Sequence, residues 1–322
     1  MTRFLVQRLA ETAIVLLVMS FVIYGLIGLM PGDPVDLMLA SDPSLTAADA
    51  ARLKAVYGLD RPLIERYLAW LGNALQGDFG FARLNGRPVT EVLGPRLGNT
   101  LLLMGASFVL AVVIAIPAGT IAAMRPHSVT DGAINLVAFA GISVPPFWLA
   151  ILLIILFAVT WGILPAGGTG SAGSNLDGTA WLADRARHLV LPVLTLTLVS
   201  SGALIRYVRA SMAEALRQDF IRTAYAKGNS TRRVVIHHAL RSAMIPVVTI
   251  LALDFGTLFS GALITETMFA YLGMGKTIYD AVMGNDYNLA LMGLLFATAV
   301  VLASNLMADL TYAWLDPRIT YR

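Results

Sequence analysis

Six stretches of this chain, at 9–30, 99–124, 134–164, 189–205, 245–269 and 289–313, are each apolar over the better part of 20 residues. In hydrocarbon only a closed barrel or a helix satisfies its own backbone, and a helix needs about 20 residues to cross. The pattern therefore predicts an all-α membrane protein with six transmembrane helices. The residues are 57% apolar and 13% charged, far from the mix of a soluble domain. The first stretch, from Leu9 to Met30, exceeds the apolar core of a signal peptide, and no small-residue cleavage site follows it. It reads as a retained first span. The third is overlong and carries Pro145–Pro146, which predicts a kink or a broken start. Pro117 and Pro192 predict similar kinks in the second and fourth spans.

Lysine and arginine placement sets orientation. With the N-terminus inside, the inner segments hold Arg3, Arg8, Arg125, Arg206, Arg209, Arg217, Arg222, Lys227, Arg232, Arg233, Arg241, Arg318 and Arg322, or 13 of the 23 basic residues. Only Asp131, Glu214, Asp219 and Asp316 oppose them there. An even number of spans then puts both termini in the cytoplasm. Three regions follow: 1–30 with the first span, an extracytoplasmic segment 31–98, and a core 99–322 with a cytoplasmic loop at 206–243. In the outer segment, Leu63, Tyr67, Trp70, Leu71 and Leu75 recur at helical spacing, which predicts an amphipathic helix against the bundle. The stretch 159–188, rich in Gly, Ser and Thr, reads as an outer loop.

Several tempting motifs fail on context. AYLGMGKT at 270–277 fits a loose phosphate-loop pattern, but an apolar span precedes it where a strand is required, so it reads as a glycine turn. His237 and His238 are adjacent and point to different helix faces, unlike zinc ligands three or four apart. The chain has no cysteine, which excludes disulfides and thiolate metal sites, and a net charge of only +3 gives nucleic acid no footing. No catalytic, cofactor or metal residue is expected on it. Intramembrane ionisable groups are candidates by default. Asp254 lies mid-way along the fifth span, where it either lines a pathway or bonds a neighbouring helix. Glu266, at the outer end of that span, is a second candidate for the pathway; Glu11 and Asp309 read as interfacial.

The loop 206–243 is the most informative region. Eight basic residues fall between Arg206 and Arg241. Met212, Leu216, Phe220 and Ala224 recur at i+4 and form one apolar stripe. Gly228-Asn229-Ser230-Thr231 then breaks the helix, and Arg232 restarts it. A loop that only obeyed the charge rule and touched anionic lipid would need neither a stripe nor a placed glycine. The spacing predicts a hinged helical projection that docks a cytoplasmic partner.

These residues carry a resemblance. RTAYAKG at 222–228, followed by RRVVIHHALRSAMIP, resembles the cytoplasmic loop motif of ABC importer permeases for dipeptides, oligopeptides or nickel. The general motif places Glu-Ala-Ala and a later Gly on Arg222, Thr223, Ala224 and Gly228, so the second alanine and the glycine are kept. LMPGDP at 29–34, ISVPPFWLA at 142–150, LITETMFAYLGMGK at 263–276 and the terminal LDPRITYR are similar to the same family, in the same order. The resemblance implies a type I importer bundle in a bacterial inner membrane, half of a pathway completed by a second, homologous permease. Two cytoplasmic ATPase subunits would hold the ATP and Mg, and an extracytoplasmic binding protein would deliver substrate. The helix carrying Asp219, Phe220, Arg222, Thr223, Ala224, Lys227 and Gly228 would be the coupling helix, and this chain would hydrolyse nothing. Peptide is the expected substrate; a nickel or glutathione importer is the alternative within the family, and a stand-alone secondary transporter using Asp254 the alternative outside it.

Overall fold

The computed structural model describes residues 2–29, 46, 48–49, 52, 61–83, 85–173 and 175–315. The expectations placed on 31–45, on most of 46–60 and on the terminal LDPRITYR after its Leu315 lie outside them. The described chain is helical apart from loops and one two-residue hairpin. Five helices are long and apolar enough to cross a membrane, and a bent pair makes a sixth span if taken as one. The protein is a multi-pass membrane protein.

Two compact units are present, one of residues 1–99 and 273–300, the other of 100–272 and 301–322. In the first, α1 (Thr2–Ile27) carries α2 (Leu63–Leu75). The expected amphipathic helix is there, and Tyr67 is its fully buried member. The Tyr67 hydroxyl lies 2.8 Å from Ser20 Oγ, and its ring packs edge-on to Phe21 and Tyr24. Leu63 rests near Gly25 on α1 and Gly28 just beyond it. The contact stops short of the last turn of α2, where Leu75 is 81% exposed despite its place in the apolar stripe. Beyond α2, the strands β1 (Phe81–Ala82) and β2 (Arg87–Pro88) pair antiparallel. Asn288 donates a hydrogen bond to the Phe81 carbonyl, and Arg83 bonds the Gly284 carbonyl, so the hairpin is tied to the far end of the sequence.

The second unit is built around one long helix. Its elements begin in α3 (Val89–Met124) and continue through α4 (Val129–Ser143), α5 (Pro146–Leu153) and a π-helical stretch Ile154–Thr160 to α6 (Gly178–Ala215). The short α7 (Asp219–Ala226) follows. A helical turn Thr231–Arg233 and a π-helical stretch Val234–Ala239 then lead into α8 (Leu240–Met268). After it come α9 (Met274–Met283) and α10 (Tyr287–Leu315), which return to the first unit and out of it. α6 packs against α4, α5 and α8. Close approach comes from missing side chains, as at helix crossings in membranes generally. A Cβ on Gly202 would collide with the Ala138 carbonyl, one on Gly141 would sit 2.5 Å from the Leu198 carbonyl, and one on Gly119 2.8 Å from that of Ile205.

The third span is broken as Pro145–Pro146 predicts: α4 and the α5 segment meet at 104°. Pro117 and Pro192 do not break their helices, which run through them from Val89 to Met124 and from Gly178 to Ala215. A lost backbone bond inside a membrane bundle is readily made good by neighbours. The outer loop is also shorter than the sequence suggests. Residues 178–188 extend α6 outward, because Ala, Leu and Arg favour helix whether or not lipid surrounds them.

Candidate functional site

α7 is a separate eight-residue helix, set off from α6 by Leu216, Arg217 and Gln218. Asp219 stands in its first turn, where a carboxylate complements the helix dipole. Its C-terminus is closed by the backbone. The Gly228 N–H donates to the Tyr225 carbonyl at 2.9 Å and the Asn229 N–H to the Ala224 carbonyl at 3.3 Å, the paired bonds of a Schellman cap. The Asn229 side chain adds a third donor, Nδ2 to the same Ala224 carbonyl at 3.0 Å. Gly228 takes φ +78°, which is why glycine stands there.

One face of α7 is buried. Ile221 and Ala224 join Val208, Met212 and Ala215 of α6, Val234 and Val235 of the π stretch, and Ala243 and Val247 of α8 in one apolar cluster. The opposite face, with Asp219, Arg222, Thr223, Ala226 and Lys227, is exposed. Phe220 and Tyr225, 42% and 44% exposed, flank the buried edge on either side. The i+4 stripe expected from Met212 to Ala224 is thereby corrected. The chain is not one helix across 216–218, so the phase resets and Ile221, not Phe220, turns inward. Arg222 and Asp219 pair at 3.4 Å, but both side chains are more than four-fifths exposed, so the pair contributes little to stability. The basic and aromatic groups of this face are held out by a rigid, capped helix and are free to meet another surface.

A Cβ at Gly228 would meet nothing within 4 Å. Its role is conformational, not steric. Gly228→Ala is expected to cost about 1 kcal/mol, and Gly228→Asn less, because asparagine tolerates the left-handed region. Thermal unfolding of the purified chain in detergent measures both; a cost that rose steeply with side-chain size would contradict this reading.

The other candidates do not gather around α7. Asp254 is half-buried in α8, next to Phe255, whose ring meets Phe108 edge-on at 5.3 Å. Glu266 is fully buried in the same helix and accepts a hydrogen bond from the Thr100 hydroxyl. The two carboxylates are twelve residues apart on one helix, about 18 Å by helical rise, and form no common site. Glu266 sits in the packed interior of this chain.

Residues 115–321 match the family described as the binding-protein-dependent transport system inner membrane component, and residues 1–103 match the N-terminal region of such membrane components. Over the full length of both chains, the sequence is 37% identical to the oligopeptide transport system permease protein AppB of Bacillus subtilis and 34% identical to the dipeptide transport system permease protein DppB of Escherichia coli K12. This chain belongs to the binding-protein-dependent transport inner-membrane component family. Its fold agrees. The MetNI methionine ABC transporter in an inward-facing conformation superimposes with a TM-score of 0.57 over 70% of this chain and 97% of that one, at 17% identity.

In this family member the segment 270–277 is a turn into a helix, as its context predicts. α8 precedes it, Gly273 caps α9, and Thr277 Oγ1 donates to the Gly273 carbonyl at 2.7 Å. Lys276 is engaged by Asp280 at 2.5 Å. His237 is exposed and His238 half-buried in the π stretch. Tyr225, Ile221 and Asn229 are the residues of the α7 site that sequence reasoning missed. The break after Ala215 hid the first two; the Gly-Asn pair after a helix was a signal for the third.

Proposed function

We propose that this chain forms half of the translocation pathway of an ATP-driven importer for di- or oligopeptides, in a bacterial inner membrane with both termini in the cytoplasm. A second, homologous permease completes the pathway. An extracytoplasmic binding protein delivers the peptide, and two cytoplasmic ATPase subunits, holding ATP and Mg, supply the work. The full-length similarity to peptide permeases supports the substrate class. The observation that carries the mechanism is α7: one face locked into the cluster of α6 and α8, the other exposed and flanked by Phe220 and Tyr225. A helix built this way passes force. An ATPase surface that receives Phe220, Arg222, Thr223, Tyr225 and Lys227 moves α7 when nucleotide closes the ATPases, and Ile221 and Ala224 carry that movement into the long helices. Charge placement supports the orientation, since the basic residues concentrate on the segments that include α7.

The test is the reconstituted complex with its co-expressed partners and binding protein. Dialanine or pentaalanine is expected to stimulate ATP hydrolysis and to be taken up, whereas nickel ions and glutathione do neither. Stimulation by nickel or glutathione alone would move the chain to the other branch of its family. Uptake by the purified chain alone, abolished by Asp254→Asn, would replace the importer by a secondary transporter.

A further inference from the structure

We propose that Asp131 and Arg209 are a positioning pair for transport: they lock the first turn of α4 to α6, so that α4 follows any movement of α7. The inference rests on the docking role proposed for α7, and concerns residues outside that helix.

The geometry is that of a fully committed carboxylate. Arg209 donates two bonds, Nε to Asp131 Oδ1 at 2.6 Å and Nη2 to Oδ2 at 2.8 Å. The Asn135 side chain gives Oδ1 a second donor at 2.7 Å, and the His127 backbone N–H gives Oδ2 one at 3.0 Å. Two donors on each oxygen fill the acceptor capacity of an ionised carboxylate. The turn that presents it is itself fixed. Ser128 Oγ accepts the Asp131 N–H as the cap of α4, and donates to the Arg125 carbonyl at 2.6 Å. His127 holds φ +61°, an uncommon state for a residue with a Cβ, and thereby aims its N–H at the carboxylate. Asp131 is 4% exposed. A buried carboxylate in this state cannot give up its fork without being left underpaired, so the contact is kept whole or broken whole.

Its place in the chain gives it a use. Arg209 is on the α6 turn between Val208 and Met212, both fully buried in the cluster that seats α7. Asp131 begins α4, the first limb of the span bent by 104°. A displacement of α7 therefore reaches α6 by apolar packing and α4 by this fork, and the bent limb moves with them. Apolar packing alone would let α4 slide along α6. A bidentate, directional pair does not.

The chain has no native cysteine, so the lock can be removed and restored chemically. In the reconstituted complex, Asp131→Cys with Arg209→Cys is expected to assemble and hydrolyse ATP at its basal rate. Peptide moved per ATP, with whichever of dialanine and pentaalanine stimulates the unaltered complex, is expected to fall roughly tenfold, within the range usual for coupling between linked sites. A short bismaleimide cross-link between the two cysteines is expected to restore the ratio, and Arg209→Lys, which keeps the charge but not the fork, to restore little. An unchanged ratio in the uncross-linked variant overturns the proposal. So does a cross-linked variant that stays uncoupled. If the cysteine pair fails to assemble while Asp131→Leu with Arg209→Met assembles and transports normally, the pair serves folding only, and the proposal falls. The docking reading is tested separately by Phe220→Ala with Tyr225→Ala. Normal transport there removes the docking role and this route with it; lowered transport there beside an unchanged ratio in the cysteine variant removes the positioning pair alone.

Discussion

Phe220→Ala together with Tyr225→Ala is expected to leave the chain folded and inserted but to weaken its hold on the ATPase subunits proposed as its partners. Both rings are more than two-fifths exposed, so truncating them opens no cavity in the cluster that seats α7. Aromatic anchors that enter a desolvated pocket on a partner typically cost about 2 kcal/mol or more each when cut to alanine. Even one such loss weakens association by a factor of roughly 30. Titration of labelled ATPase subunits onto the reconstituted permease measures this directly, and peptide-stimulated ATP hydrolysis should fall in parallel. Charge reversal at Arg222 is expected to do less to affinity and more to its salt dependence, because that group is largely in solvent and pairs with the still more exposed Asp219. Unchanged affinity in the double alanine variant would leave α7 without a docking role.

Gly202→Val is expected to be strongly destabilising. At Gly202 the α6 backbone touches the α4 backbone, and the group in the way is the Ala138 carbonyl, not the flexible end of a side chain. Overpacking commonly costs 1–3 kcal/mol, and a crossing with backbone on both sides belongs near the upper end, about 3 kcal/mol. The thermal midpoint of the detergent-solubilised chain should drop accordingly. Gly105→Ala provides the contrast. A Cβ there meets nothing within 4 Å, and an alanine in mid-helix gains roughly 0.5–1 kcal/mol over glycine. If the two substitutions behaved alike, the glycines of this bundle would not be setting its helix spacing.

Much of this architecture was legible in the order of residues, and the parts that were not share a cause. Apolar runs mark candidate spans, so the five long helices were found, and the bent pair that makes a sixth if taken as one. They do not reveal where a helix stops, because polar turns beyond the membrane are equally helical; α6 begins at Gly178, eleven residues before its apolar part. Pro145–Pro146 broke its span while Pro192 did not, since a proline only weakens a helix and the surroundings decide the outcome. The projection after α6 was readable from its charge and from Gly228. Its inward face was not, because Leu216, Arg217 and Gln218 are good helix formers and only tertiary packing ends the helix at Ala215. Arg209 and Asp131 are 78 residues apart, and no periodicity links positions so distant.

The π-helical stretch Val234–Ala239 acts as a phase-setter for everything after it. Its i→i+5 hydrogen bonds close loops one residue longer than those of an α-helix, so the stretch takes up one surplus residue. Returning it to α geometry with its residue count unchanged would rotate α8 by about 100° about its own axis while α7 stayed seated, whereas deleting one residue within it would remove the surplus and keep the phase. Glu266 would leave Thr100, and Phe255 would leave Phe108. One surplus residue beside α7 thus decides which side of α8 each of its two carboxylates presents, some 30 residues downstream in the case of Glu266.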